Sequence, residues 1–205
     1  MDNEKYPISH ISRVRIGTDG NGIRTLILVS GCPLRCKYCL NPDTWNGNRT
    51  PVMMSAEELY QKVRIDSLYM LATRGGITFG GGEPLQYPDL ISGFRKVCEP
   101  GLSLYVETSL NVDTSYVEKV IDSVDVFYVD IKSTDPDIYR SYTGGELEVV
   151  MKNLKYLLDN KSPESVIARI PMIEGYNTID MASDSKYLLQ SIGVNRFDLF
   201  SYITE

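Results

Sequence analysis

Six short apolar runs recur along this chain, at residues 26–30, 76–79, 102–108, 124–132, 166–170 and 197–203, with helical stretches between them. That alternation predicts a parallel sheet built from right-handed βαβ units. Helices are predicted from Ser55 onward and over 88–97, 113–122, 136–142, 147–159 and 179–192. Ser55-Ala56-Glu57-Glu58 reads as a capping box that opens the first of them. Gly193 closes the last. Residues 1–25 read as polar, with one glycine-rich turn near Gly20 and Gly22. An open doubly wound sheet and a partial barrel share this pattern. The open sheet gathers its chemistry mostly at one switch point, the barrel around the rim of strand C-termini. Here the chemically interesting residues follow five strand ends. The expected fold is therefore α/β, a partial (β/α)6 TIM-like barrel with a parallel sheet, open on one side. No repeat, low-complexity segment or linker divides the chain, so one domain over 1–205 is expected, the N-terminal segment 1–25 included.

Of the 205 residues, 42% are hydrophobic and 23% charged, an ordinary balance for a globular protein. The net charge is −6 with both signs mixed along the chain, which argues against nucleic acid as the main partner. No apolar run approaches the roughly 20 residues of a membrane span, and the start Met1-Asp2-Asn3-Glu4-Lys5 is polar. A cytoplasmic protein without membrane contact is expected.

Directly after the first apolar run stands Gly31-Cys32-Pro33-Leu34-Arg35-Cys36-Lys37-Tyr38-Cys39. Three of the four cysteines crowd into this loop, which in a reducing compartment reads as metal binding or catalysis. A zinc site wants four ligands, yet His10 is the one histidine and no second cysteine pair exists. A thioredoxin-like Cys36-x-x-Cys39 has no need of Cys32. An iron–sulfur cubane usually takes four cysteines. Three would leave one iron open to a substrate or cofactor. Cys98 stands apart and reads as a buried helix cysteine.

Cys32-x3-Cys36-x2-Cys39, with Tyr38 before the last cysteine, resembles the signature of the radical S-adenosylmethionine (SAM) enzymes. Asp19-Gly20-Asn21-Gly22-Ile23-Arg24 and Cys39-Leu40-Asn41-Pro42-Asp43-Thr44-Trp45 narrow the resemblance to the activating enzymes of glycyl-radical enzymes, the branch of pyruvate formate-lyase activase. Gly80-Gly81-Gly82-Glu83-Pro84, Glu107-Thr108-Ser109, Val129-Asp130-Ile131-Lys132 and Arg169-Ile170-Pro171 resemble further landmarks of that group, in the expected order. The resemblance implies one 4Fe–4S cluster on Cys32, Cys36 and Cys39, with SAM chelating the open iron. It implies reductive cleavage of SAM to methionine and a 5′-deoxyadenosyl radical, which takes a hydrogen atom from a glycine of a partner glycyl-radical enzyme. A flavodoxin- or ferredoxin-type donor would supply the electron. The cofactor carries the hard step, and the protein orients it.

Site roles follow from the same resemblance. Gly81, Gly82 and Glu83 would bind the SAM amino group. Glycine lets backbone approach a ligand, and Glu83 has no obvious local partner. Lys132 would contact the SAM carboxylate and Asp130 the ribose or a nearby cation; two apart in a strand, they share a face. Tyr38, Leu40 and Ile131 are counted among the cofactor-binding residues. Glu107 and Thr108, with Asp130, stand where activases hold a monovalent cation, although aspartate is more usual at the position of Glu107. Arg169 needs an anionic partner, and SAM or Glu107 would serve. Asp19 and Arg24 are open to three readings: steadying the cluster loop, lining a partner groove, or building a turn. Trp45 packs over the adenine or the cluster, or else in the core. Leu40 and Ile203 depart from the pattern, standing where the best-known activase has histidine. Competing functions are a radical SAM enzyme acting on a peptide or small molecule and a non-catalytic iron–sulfur electron carrier, although a carrier prefers a fully ligated cluster.

Overall fold

The computed structural model describes residues 4–202, so Ile203 lies outside the described residues. In chain order the strands are β1 (Tyr6–Ile16), β2 (Ile23–Val29), β3 (Val52–Met54), β4 (Gly76–Gly81), β5 (Ser103–Thr108), β6 (Val126–Asp130), β7 (Val166–Met172) and β8 (Arg196–Ser201). The helices are α1 (Ala56–Val63), α2 (Ser67–Ala72), α3 (Pro88–Val97), α4 (Thr114–Val120), α5 (Pro136–Thr143), α6 (Leu147–Asn160) and α7 (Ile179–Ser191). The strands form one sheet in the order β3-β1-β2-β4-β5-β6-β7-β8. From β2 to β8 every pairing is parallel, and these are the six strands read from the apolar runs. The sheet does not close: among the described residues β8 pairs with β7 alone. This is an open, partial TIM-like barrel.

Two features correct the sequence reading. Residues 1–25, read as polar and without a strand, contain the long β1. It runs antiparallel to both β2 and β3, so the sheet is mixed and has eight strands. The pairing of β1 with β2 slips between Ile8 and His10 and again between Ser12 and Arg15, and Val14 has φ of 56°. Each bulge breaks the alternation that would reveal a strand. The second correction is the start of β2 at Ile23, before the apolar run begins. Arg24 and Thr25 are polar but fully buried there.

Period-two alternation divides the parallel strands into two faces. Ile27, Val29, Ile77, Phe79, Leu104, Val106, Phe127, Val129, Ala168 and Ile170 belong to the buried apolar core with the helices. Phe94 of α3 meets Phe79 edge-on at 5.4 Å and Tyr60 of α1 at 5.8 Å, which fixes both helices on the sheet. Burial of one such side chain contributes roughly 1.5–3 kcal/mol. The intervening positions, among them Leu28, Glu107, Asp130 and Arg169, face the concave side.

Arg24 closes the floor of that concave side. Its Nε donates to Thr78 Oγ1 (2.7 Å), and its terminal nitrogens donate to the carbonyls of Ile77 (2.6 Å), Ser103 (3.1 Å) and Asn21 (3.3 Å) and to Ser103 Oγ (2.8 Å). The guanidinium carbon lies 3.6 Å from the centre of the Tyr105 ring. The structure gives Arg24 a role outside the three readings: within β2, it ties β2, β4 and β5 together. Asp19 shares in this through its backbone carbonyl, which accepts from Thr78 Oγ1 (2.9 Å), while its carboxylate pairs with Arg15.

The local signals behave as their chemistry dictates. Ser55 accepts from the Glu58 amide, and Glu58 accepts from the Ser55 amide, so the capping box is complete. The first helix ends at Val63 and resumes as α2 after a short 3-10 turn. Cys98 is buried at the end of α3, as read. Gly193 follows α7 with φ of 107°, a left-handed backbone that favours glycine.

Candidate active site

The cysteine loop leaves the C-terminal end of β2 and is pinned from both sides. The amides of Arg35 and Lys37 donate to the carbonyls of Thr143 (2.8 Å) and Tyr142 (3.1 Å) at the end of α5. The Gly31 amide donates to the Thr44 carbonyl (2.7 Å). Leu34 is buried and anchors the turn. On the β4 side, the Gly82 amide donates to the Val29 carbonyl (3.0 Å) and the Glu83 amide to the Gly31 carbonyl (2.8 Å). A Cβ on Gly82 would overlap the Gly31 carbonyl oxygen, so only glycine permits this approach. Gly82→Ala is accordingly expected to push the loop away from β4. The variant should lose most of its iron after anaerobic reconstitution and melt at lower temperature; iron content and a melting curve check both.

Cys32, Cys36 and Cys39 line one cavity of about 560 Å³ on the concave side of the sheet. Burial pushes the Cys32 thiol up to about 12, with Glu83 adding to the shift. Burial also raises Cys36, to about 11, against the pull of Lys132. Left alone these thiols stay protonated; iron would deprotonate them on binding. Among the described residues no three His, Cys, Asp or Glu side chains converge closely enough to hold a single metal ion. A cubane is a larger target and takes each thiolate on a different iron. Three thiols around one cavity would suit a cubane that leaves one iron open. Trp45 lines the same cavity, and its indole Nε1 donates to Cys39 Sγ at 3.4 Å. Arg35 lies over the Trp45 ring at 4.8 Å.

The same cavity carries an ion-pair chain. Arg169 Nε donates to Asp130 Oδ1 (2.6 Å), and its NH1 to Glu107 Oε1 (3.0 Å). Lys132 Nζ donates to Asp130 Oδ2 (3.1 Å). Burial works to raise the Asp130 carboxyl, but Arg169 and Lys132 outweigh it and hold it down to about 2. Burial raises the Glu107 carboxyl, with Arg169 pulling the other way. Gly81, Gly82, Thr108 and Leu40 also line the cavity.

Three residues assigned to cofactor binding do not face it. Glu83, read as lacking a local partner, is buried with four donors. Its carboxylate accepts from Thr108 Oγ1 (2.7 Å), the Ser109 amide (2.9 Å), Ser109 Oγ (2.6 Å) and the Leu85 amide (3.1 Å). It ties the end of β4 to the end of β5 and has little capacity left for a ligand. Tyr38 turns outward onto Tyr142 and Tyr176, with ring centres 6.3 and 6.2 Å away. The Ile131 side chain is buried in the apolar core, leaving only its backbone near the rim.

The cavity also has walls that the sequence reading did not assign. His10, Ser12 and Arg15 reach it from β1, and Phe200 and Tyr202 from β8 and the residue after it. Lys132 Nζ lies 5.9 Å from the Tyr202 ring centre. An alternation count that allowed for bulges would have found the β1 residues.

A profile described as the radical SAM superfamily matches residues 26–188. This chain belongs to the radical SAM superfamily. Membership implies a 4Fe–4S cluster and SAM, for which this radical SAM protein has a three-cysteine loop in a cavity lined by charged and apolar side chains. It is 30% identical to the pyruvate formate-lyase-activating enzyme of Staphylococcus epidermidis over 193 residues, covering 90% of this chain and 76% of that protein. It is 40% identical over 129 residues to the enzyme of the same name from Clostridium pasteurianum, covering 62% of this chain and 52%, about half, of that relative. The (2S)-3-sulfopropanediol dehydratase activating enzyme of Klebsiella oxytoca is 26% identical, with 90% and 78% covered. Among solved structures, a domain of pyruvate-formate lyase-activating enzyme from Bacteroides vulgatus superposes with a TM-score of 0.53 at 28% identity, covering 62% of this chain and 81% of that one. Streptococcus suis SuiB bound to S-adenosylmethionine shares the fold, with a TM-score of 0.64 at 17% identity, over 84% of this chain and 38% of that one. Among the described residues no helix is long and apolar enough to cross a membrane.

Proposed function

We propose that this protein is an activating enzyme: it reductively cleaves SAM and takes a hydrogen atom from a glycine of a partner glycyl-radical enzyme. The observation that carries this reading is one cavity lined both by three thiols and by Asp130, Lys132 and Arg169. SAM needs both halves, a metal for its amino-acid chelate and charged groups for the rest. Cys32, Cys36 and Cys39 would hold the cluster, and the missing fourth cysteine leaves the place for SAM. When bound, the cluster supplies the electron that splits the S–C5′ bond of SAM. Lys132 would receive the SAM carboxylate, and the bare backbone of Gly81 and Gly82 the amino group. Glu83 acts behind them by fixing β4 against β5. Trp45 shields Cys39, and Leu28 and Phe200 give the cavity apolar wall that keeps water from a reactive radical. All four cysteines are free thiols, which suits a reducing, cytoplasmic setting and an electron donor of flavodoxin or ferredoxin type.

The relatives named for activating pyruvate formate-lyase and a dehydratase support a protein substrate. The decisive test is electron paramagnetic resonance on the reduced, SAM-loaded protein incubated with a candidate partner that carries a C-terminal glycine motif. A glycyl-radical doublet on the partner is expected. SAM consumption without a doublet on any such partner would move the substrate to another class.

A further inference from the structure

A monovalent cation beside SAM would draw its ligands from Glu107, Thr108 and Asp130, and these residues do not fit one. Glu107 Oε1 is taken by Arg169 NH1 at 3.0 Å, and Oε2 is left as a single carboxylate oxygen without a hydrogen bond among the described residues, where an ion needs several ligands. Asp130 Oδ1 accepts from Arg169 Nε at 2.6 Å, and its Oδ2 accepts from Lys132 Nζ at 3.1 Å. Thr108 Oγ1 donates to Glu83 at 2.7 Å and accepts from the Leu110 amide at 2.9 Å, so its hydroxyl is already engaged although the residue lines the cavity. The guanidinium thus lies between the two carboxylates that would have held the ion.

Charge gives the same answer. The four side chains are largely buried, with between 12% and 21% of each exposed. Two carboxylates are balanced by one guanidinium and one ammonium. A further cation would enter a desolvated site with no unmatched charge, which is costly. Neighbouring acids offer nothing more: Glu83 is saturated by Thr108, Ser109 and Leu85, and Asp19 is paired with Arg15. Glutamate at 107 explains the arrangement. Its extra methylene lets the carboxylate reach the guanidinium while Nε of the same Arg169 holds Asp130. Arginine stays charged at any working pH and its planar fork fixes the spacing.

We infer that Arg169 is the built-in cation of this rim, and that SAM binding in this protein is independent of monovalent metal ions. The inference rests on the SAM reading above. The test compares the anaerobically reconstituted protein in potassium, sodium and choline chloride at equal ionic strength. Two readouts are taken: the unfolding midpoint without SAM, and the SAM dissociation constant by calorimetry. A bound ion stabilises the folded state by mass action, so the midpoint is expected to be the same in all three salts and the SAM constant to agree within about two-fold. A midpoint that rises in potassium, or SAM binding about ten-fold tighter there, would overturn the inference. Arg169→Met leaves two carboxylates facing each other and is expected to make the midpoint respond to potassium. Glu107→Asp withdraws one carboxylate from Arg169 and serves if the first variant does not fold. Absence of a potassium response in the folded variants would remove Arg169 from this role. Failure of SAM to bind in every salt would instead defeat the proposed function, and the midpoints would still decide the cation question.

Discussion

Cys36→Ser protein, reconstituted anaerobically, is expected to hold no stable 4Fe–4S cluster and to release 5′-deoxyadenosine only at background. Three cysteines line the cavity, and no other thiol reaches it. Removal of one leaves two ligands for a cluster that already has an open iron. A serine hydroxyl is a poor substitute because its oxygen is harder and far less acidic than a thiol. The loss should exceed the roughly 10–100-fold that outer-sphere substitutions cost a metal site. Cys98→Ser is the matched control. Cys98 is buried at the end of α3, in the apolar core. That variant is expected to lose some stability and keep both cluster and cleavage. Iron and sulfide content, the visible absorption band and product chromatography distinguish the two. Full cleavage in the Cys36→Ser protein would refute the ligand assignment.

Arg24→Met is expected to cost about 3 kcal/mol of folding stability while leaving the cysteine loop intact. Burial lowers the Arg24 guanidinium to about 10, so keeping the charge there is expensive. No carboxylate touches it; three backbone carbonyls, two hydroxyls and the Tyr105 ring hold it instead. Methionine matches much of the volume but donates nothing. The carbonyls of Ile77 and Ser103 would lose their side-chain donor in a closed floor, at roughly 1–3 kcal/mol for each group left unsatisfied. Urea unfolding of the two proteins measures the difference. A change below about 1 kcal/mol would mean that water enters the floor and replaces the guanidinium.

Much of the candidate site was legible because its residues stand at strand ends in short, ordered motifs. The cysteine loop, Gly81 and Gly82, Glu107 and Thr108, Asp130 and Lys132, and Arg169 all come to the same cavity. Placement on a strand end fixes a side chain's neighbourhood, and alternation fixes its face. Partners are another matter. Glu83 looks free in sequence because its donors Thr108 and Ser109 lie 25 and 26 positions on and meet it only when β4 and β5 are adjacent. Tyr38 sits between two cysteines' worth of ligand chemistry, yet the tyrosines that draw it away belong to α5 and to the loop after β7. Arg24 stays open to three readings in sequence, none of them the observed one, because nothing local shows that three strands converge on it. The antiparallel β1 was illegible for a different reason: two bulges erase its period. With it went His10, Ser12 and Arg15, which line the cavity and lie outside the region matched by the superfamily.

The most direct measurement is a single-turnover assay on the reconstituted, dithionite-reduced protein with SAM. Formation of methionine and 5′-deoxyadenosine, dependent on the cluster and abolished in the Cys36→Ser variant, is the expected result. An intact, reduced cluster that leaves SAM uncleaved would contradict the assignment of this cavity to radical SAM chemistry.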